Sequence, residues 1–114
     1  MRSVGGLHAL ARALDEFRKL DAEIPPQQML TFLWVCISPP GITMKELCER
    51  VGIAQSAMSR TVAQLGKYGS HGRPGYGLLD SEEDPAERRR KVVRLTSKGD
   101  RVRSALKSIL GDVA

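Results

Sequence analysis

The segment from Thr43 to Leu65 constrains the fold more than any other part of the sequence. Thr43 and Glu46 have the spacing of a capping box, in which a hydroxyl and a carboxylate satisfy free amides at the start of a helix. The box predicts a short helix, Gly52 turns the chain, and a second helix follows. Two short helices joined by a tight glycine-containing turn are a helix-turn-helix, predicted here at residues 43–67.

The second helix of this pair has one apolar side and one side of unusual composition. Met58, Val62 and Leu65 form the apolar stripe, at spacing i, i+4, i+7. The chain has no Asp or Glu between Val51 and Gly77, although solvated helix faces usually mix both signs of charge. A helix that enters the major groove of DNA passes close to two phosphate backbones, which would repel carboxylates. The composition therefore favours a DNA-reading helix.

The polar residues of this helix are of the types that can read DNA. Gln pairs well with adenine, Arg with guanine, and Ser with either. The sequence predicts base contacts from the first two turns and a phosphate contact from the far end; the first set is Gln55, Ser56, Ser59 and Arg60, and the second is Lys67. The alternative for each residue is simple exposure, with Gln55 and Ser56 capping the helix.

The remaining segments predict a mainly α protein with a small β-hairpin wing, a winged helix-turn-helix. The segment at 66–77 is rich in glycine and predicts a loop, and the charged stretch "SEEDPAERRR" lies between two strand-like segments. Ser97 to Asp100 repeats the capping-box pattern before a last helix. At 114 residues the chain is predicted to form a single domain. Its parts are an N-terminal helix in 1–24, the helix-turn-helix at 43–67, the wing at 76–96 and a C-terminal helix at 97–112.

The wing carries the strongest run of positive charge. Its basic residues are Arg88, Arg89, Arg90 and Lys91, and Glu87 is predicted to orient one of the first two by a charged hydrogen bond. An arginine on a wing can enter the minor groove, where the negative potential is focused. Residues 1–50 carry equal numbers of basic and acidic side chains, so the whole net charge of +5 lies in residues 51–114. The alternative is a solvated loop whose acids neutralise its bases.

Several classes of protein are not supported by the sequence. It has no nucleophile elbow, no phosphate-binding glycine motif and no cluster for acid–base chemistry, so we predict neither an enzyme, nor catalytic residues, nor a cofactor. Cys36 and Cys48, with His8 and His71, match no zinc spacing, and no metal site is predicted. The cysteines are interpreted as core residues, with a redox switch as the less favoured alternative. No stretch has the length of a membrane span, which favours a cytoplasmic protein without membrane contact.

Two stretches together resemble the MarR family of bacterial winged-helix transcriptional regulators, in a short, minimal version. They are "TMKELCERVGIAQSAMSRTVAQL" and "DPAERRRKVVRLTSKG", and the resemblance covers roughly residues 25–102. It implies a homodimer in which each subunit puts its recognition helix in a major groove and its wing in the adjacent minor groove. By the same resemblance Glu87 and Arg89 match the acid–arginine pair of the wing. The loop at 66–77 is longer than the link usual in the family.

These observations predict a sequence-specific regulator of transcription that binds double-stranded DNA, with repression by promoter occlusion as the favoured form. The alternative is a winged-helix module that acts on another regulator or a polymerase subunit without reading DNA sequence, because fold alone does not determine function. The apolar faces of the first and last helices are consistent with a homodimer, or with the completion of a monomer's own core. The residues provide no support for a small-molecule effector.

Overall fold

The computed structural model describes residues 4–67, 69, 73–87 and 90–111. These residues form five helices and three strands. In chain order they are α1 (Gly5–Arg18), α2 (Pro26–Cys36), β1 (Ile42–Thr43), α3 (Met44–Val51), α4 (Gln55–Leu65), β2 (Leu79–Glu83), β3 (Lys91–Leu95) and α5 (Ser97–Leu110).

The stretch "QQMLTFLWVCI" is apolar nearly all round, which predicts a buried helix at the centre of the domain, and helix α2 lies there. Pro26 occupies its first turn, where a missing N–H costs nothing. Phe32 is fully buried and meets Phe17 of α1 edge to face, with ring centroids 5.9 Å apart. Helices α3 and α4 pack against α2, and α1 packs on α5. The outer side of α2 is not covered, however, since Leu30 is 43% exposed; the prediction of burial nearly all round is wrong on that side.

The sheet confirms the predicted wing and adds one strand to it. Its order is β1–β3–β2, with antiparallel neighbours throughout. Ile42 lies opposite Val93, and Leu79 lies opposite Leu95. The strand β1 was not expected, because two residues are too few to show an alternating pattern and the strand exists only through its pairing with β3. The fold is mainly α with a small antiparallel sheet.

Strand β2 runs further into the charged segment than its composition suggests. The strand-like segment before the charged stretch is "LLD", at residues 78–80. In the structure the strand is Leu79–Glu83, and every residue after Leu79 is exposed. The strand lies at the edge of the sheet, where charged side chains discourage pairing with another molecule. Glu82 also forms a cross-strand ion pair with Arg94 at 2.9 Å. Pairing with β3 therefore outweighs the low strand propensity of the acids.

Helix α5 begins with a different cap from the one predicted. Thr96 is the N-cap, and its Oγ1 accepts a hydrogen bond from Gly99 N at 3.0 Å. Ser97 is the first residue of the helix, so the predicted Ser97–Asp100 capping box is wrong by one position. Thr96 Oγ1 in turn donates to Gly77 O at 2.6 Å, a contact 19 residues away that local sequence does not reveal.

Helix α1 turns a different side to the core than its sequence suggests. The spacing of its apolar residues predicts one buried face, made up of Leu7, Leu10, Ala11, Leu14, Phe17 and Leu20. In the structure Phe17 and Ala13 are buried, whereas Leu7 is 66% exposed and Leu10 is 51% exposed. The apolar stripe of α1 is therefore wider than the part of it that packs against the rest of the chain. The uncovered part is a row of outward-facing side chains, namely Val4, Leu7, Leu10 and Leu14.

Candidate nucleic-acid interface

The turn between α3 and α4 is built as the sequence predicts. Thr43 Oγ1 accepts a hydrogen bond from Glu46 N at 3.1 Å, which is one half of the predicted capping box. Gly52 ends α3 in the left-handed region, with φ of 82°, and its N–H donates to Cys48 O at 2.7 Å. Glycine adopts this conformation without strain, so the turn is tight and α4 leaves it at a fixed angle.

Helix α4 has the two sides that its sequence predicts. The apolar stripe of Met58, Val62 and Leu65 is buried. The N-cap is Ala54, so neither Gln55 nor Ser56 takes the capping position that the alternative interpretation gave them. The predicted reading residues all lie on the exposed side; they are Gln55, Ser56, Ser59 and Arg60, with Lys67 exposed just beyond the helix.

A tertiary hydrogen bond holds α4 against the first turn of α2. Gln27 Nε2 donates to Thr61 Oγ1 at 3.1 Å, and Thr61 Oγ1 donates to Ala57 O at 2.9 Å. Thr61 is 5% exposed, so its hydroxyl needs these partners to offset the loss of water. The contact fixes the side of α4 that faces outward.

The turn at the end of the wing is closed by backbone hydrogen bonds and by one arginine. Asp84 N donates to Arg90 O at 2.7 Å, and Ala86 N donates to Asp84 Oδ1 at 2.9 Å. The Arg90 guanidinium lies 3.4 Å from Glu87 and 3.9 Å from Asp84. Glu87 therefore pairs with Arg90, a partner that the sequence analysis did not name. Arg88 and Arg89 lie outside the described residues.

The structure brings the start of α4, the tip of the wing and α3 together around one groove. The volume of this groove is about 1000 Å³. Of the predicted site residues it gathers five: Gln55, Ser59, Glu87, Arg90 and Lys91. The other described ones, Ser56, Arg60 and Lys67, do not line it. Its remaining lining comes from the segment at the start of α3, namely Thr43, Met44, Lys45, Glu46, Cys48 and Glu49.

Lys45 is a groove residue that the sequence analysis missed. It is exposed, lies in the first turn of α3 and shares the groove with Lys91. Nothing in its local sequence separates it from an ordinary surface lysine, because its position relative to the wing depends on tertiary structure. Among the described residues, three basic and three acidic side chains line the groove, so the lining itself is balanced in charge. The largest excess of positive charge is on α5, which has four basic residues and one acidic residue and does not line the groove.

Both cysteines lie in surroundings that disfavour the thiolate. Burial raises the pKa of Cys36 to about 12, and the thiol is 4% exposed. Burial also raises the pKa of Cys48, which lines the groove and is half-buried. The thiolate is the reactive form in oxidation and metal binding. These environments agree with the interpretation of the cysteines as core residues.

Two other kinds of site are absent from the part of the chain that the structure describes. No helix in 4–67, 73–87 or 90–111 has the length and apolar character that crossing a membrane requires. Within the same residues, no three His, Cys, Asp or Glu side chains are grouped so that they could hold a metal ion.

The fold and the groove define a winged helix-turn-helix protein, and comparison with known proteins identifies its family. Residues 22–67 match a family model described as the MarR family. The PcaV transcriptional regulator from Streptomyces coelicolor, solved in complex with its natural ligand, is 30% identical, with a TM-score of 0.57 over 89% of this chain and 70% of that one. The chain belongs to the MarR family of transcriptional regulators. A comparison with proteins of curated function gave no match.

Two further solved structures share the fold at lower identity. The complex of S. aureus MepR with DNA has a TM-score of 0.70 at 20% identity, covering 90% of this chain and 76% of that one. The apo form of E. coli MarR has a TM-score of 0.63 at 20% identity, covering 89% and 67%. Membership of a family of transcriptional regulators confirms the prediction that the chain is not an enzyme.

Proposed function

We propose that this protein is a sequence-specific regulator of transcription that binds double-stranded DNA with α4 in the major groove and the wing in the adjacent minor groove. The observation that carries the proposal is the shared groove, where Gln55 and Ser59 at the start of α4 line the same space as Arg90 and Lys91 at the tip of the wing. One end of this surface has base-reading side chains and the other has cations, as a winged helix needs in order to span two grooves.

The roles of the α4 residues follow from their chemistry and position. Gln55, Ser56, Ser59 and Arg60 are exposed in the first two turns, where a recognition helix contacts base edges. Lys67, beyond the end of the helix, is assigned to phosphate. The similar fold of MepR was solved in complex with DNA, which supports DNA as the ligand of this fold.

The wing residues are assigned to the minor groove and the flanking phosphates. Arg88 and Arg89 are proposed to enter the minor groove of the DNA. Lys91 is proposed to contact phosphate together with Lys45 of α3, with which it lines the groove of the protein. Arg90 has a different role, since it already pairs with Asp84 and Glu87 and holds the end of the hairpin closed. Glu87 orients the wing through Arg90.

The protein is further proposed to act as a homodimer. The outward row on α1, defined above as Val4, Leu7, Leu10 and Leu14, is exposed, and so is Leu110 (37%) at the end of α5, the helix on which α1 packs. Exposed apolar rows of this kind mark protein interfaces. A dimer places two recognition helices on successive turns of the duplex, which multiplies both affinity and specificity. Such a dimer would repress transcription in the cytoplasm by covering a promoter.

Selection of bound duplexes from a random DNA pool at near-physiological salt tests the proposal. Enrichment of an inverted repeat is expected, because two symmetric subunits read two symmetric half-sites. Enrichment of a single undivided site would retain DNA reading and contradict the symmetric dimer. A pool that stays random would contradict sequence reading, and capture of a regulator or polymerase subunit by a variant lacking Arg60 and Arg88–Arg90 would then favour a protein-interaction module.

A further inference from the structure

The glycine-rich segment between α4 and β2 returns to the end of α4 and closes it. Tyr76 N donates to Gln64 O at 3.1 Å, and Leu78 N donates to Leu65 O at 2.8 Å. These carbonyls belong to the last turn of α4 and have no partner within the helix. The returning segment, Tyr76–Leu78, therefore serves as the C-terminal cap of the recognition helix.

The same three residues also hold the start of α5. Thr96 N donates to Leu78 O at 2.9 Å, and Thr96 Oγ1 donates to Gly77 O. Since Thr96 directly follows β3, the segment joins the recognition helix to the return strand of the wing. The packing leaves no room for side chains at two glycines: a Cβ on Gly75 would overlap Gly66 O, and one on Gly99 would overlap Leu78 O.

Tyr76 connects this junction to the turn between α1 and α2, which is distant in sequence. Its hydroxyl donates to Asp21 Oδ2 at 2.8 Å, across 55 residues of sequence. The other carboxylate oxygen of Asp21 accepts from Glu23 N at 2.9 Å and so fixes the turn between α1 and α2. At the end of that turn, Gln27 donates to Thr61 in the middle of α4. The connection 21–27 thus holds α4 directly through Gln27 and indirectly through Tyr76.

We propose that Tyr76 and Asp21 are positioning residues for DNA reading: their hydrogen bond sets α4 and the wing relative to the connection between α1 and α2. The inference rests on the proposed function and adds to it a role for the long loop. Neither side chain lines the groove, so neither is assigned a contact with DNA. Base-edge hydrogen bonds tolerate little displacement, whereas phosphate contacts by flexible lysines and arginines tolerate more. Loss of the contact should therefore reduce specific binding selectively.

The test compares binding to the selected duplex with binding to an unrelated duplex of equal length at one salt concentration. Tyr76→Phe removes only the hydroxyl, whereas Asp21→Ala removes the acceptor together with the carboxylate charge and the hydrogen bond from Glu23 N. Each should weaken specific binding by about 10-fold, as for one misplaced base contact. Each should leave binding to the unrelated duplex within about 2-fold, because the phosphate contacts persist. The double variant should be no weaker than Asp21→Ala, since that variant already lacks the bond from Tyr76.

Two further variants separate positioning from charge and from folding. Asp21→Asn keeps one carbonyl oxygen, which can accept from Tyr76 but does not replace the second oxygen that accepts from Glu23 N, so it should restore part of the specific binding. Asp15→Ala makes the same change of charge as Asp21→Ala, on the exposed side of α1 where Asp15 pairs with Arg18, and should bind like the parent. Thermal melting, followed by the fluorescence of Trp34, reports whether each variant is folded at the binding temperature.

The possible results are distinct. Parent-like specific binding by Tyr76→Phe would overturn the positioning role and leave the proposed function intact. An equal loss on both duplexes, in step with a lower melting temperature, would also overturn it, because the contact would then serve stability alone. A parent protein that selects no sequence would overturn the proposed function itself, and the positioning role with it.

Discussion

At the scale of single residues, the interface depends on which side of α4 each side chain occupies. Met58 and Thr61 face inward while Ser59 and Arg60 face outward, and the difference follows from the helical period alone. Thr61 shows that polarity alone does not tell which side of the helix a residue occupies. It is polar, yet it is buried, because Gln27 provides a hydrogen-bond partner from α2.

Arg60→Ala tests base reading directly. We expect a loss of about 1–3 kcal/mol of binding free energy on the selected duplex and relaxed preference at one base position, as for loss of a bidentate arginine contact. Dissociation constants for the selected duplex and its single-base variants give both quantities. Arg18→Ala removes the same charge from α1 and should bind like the parent. A uniform loss on all sequences would instead assign Arg60 to phosphate.

The reactivity of the two cysteines tests their burial. The pKa of Cys36 is about 12, so almost none of it is thiolate at pH 8. We expect iodoacetamide to label Cys48 before Cys36 in the native protein, and Cys48→Ser to remain almost unlabelled until denaturant is added. Mass spectrometry of the labelled chain reports both. Fast native labelling of Cys36 would contradict the buried environment and reopen a redox role.

At the scale of elements, some features are determined by a few neighbouring residues and others by tertiary contacts. The Thr43 cap and the Gly52 turn are local, and both were predicted from a few adjacent residues. Strand β1 and the Thr96 cap were not, because each is completed by a distant partner: Val92 and Val93 for the strand, and Gly77 for the hydroxyl of the cap. The propensity of a short segment contains no information about a hydrogen bond to a residue that is distant in sequence and close only in the fold.

Thr96→Ala measures the cap of α5. We expect it to lower the free energy of unfolding by about 1–2 kcal/mol, since it removes an N-cap acceptor and a hydrogen bond to the loop. Ser97→Ala is the matched control; Ser97 is exposed at the first helical position, so a change within about 0.5 kcal/mol is expected. Urea denaturation of the two variants compares them. The opposite ranking would restore Ser97 as the cap.

At the scale of the whole molecule, charge and apolar surface lie on different parts of the protein. The reading helix carries one arginine and no acid, the wing at 76–96 carries five basic and five acidic residues, and α5 carries the largest excess, with four basic residues and one acidic residue. The outward apolar row lies on α1. The arrangement suits a protein that meets DNA with one surface and a second copy of itself with another. Family membership, through the match at residues 22–67 and the likeness to PcaV, supports this division without determining the partner of either surface.

Leu10→Glu tests the homodimer. Leu10 is 51% exposed in the middle of the row, and a carboxylate there should oppose burial against a second chain. Light scattering at tens of micromolar should give twice the chain mass of 12.5 kDa for the parent and the single chain mass for the variant. His8→Glu adds the same charge elsewhere on α1 and should remain dimeric. A parent of single-chain mass would contradict the dimer.

The sequence by itself determined the helix-turn-helix, the buried stripe of α4, the class of the fold and the chemistry of the reading face. These depend on helical period, capping and composition, which act over a few residues. Tertiary structure alone decided that Lys45 shares a groove with Lys91, that Glu87 pairs with Arg90 and that Tyr76 reaches Asp21. It also decided which side of α1 the chain covers, because the period of a helix marks its apolar residues but not the surface that will bury them.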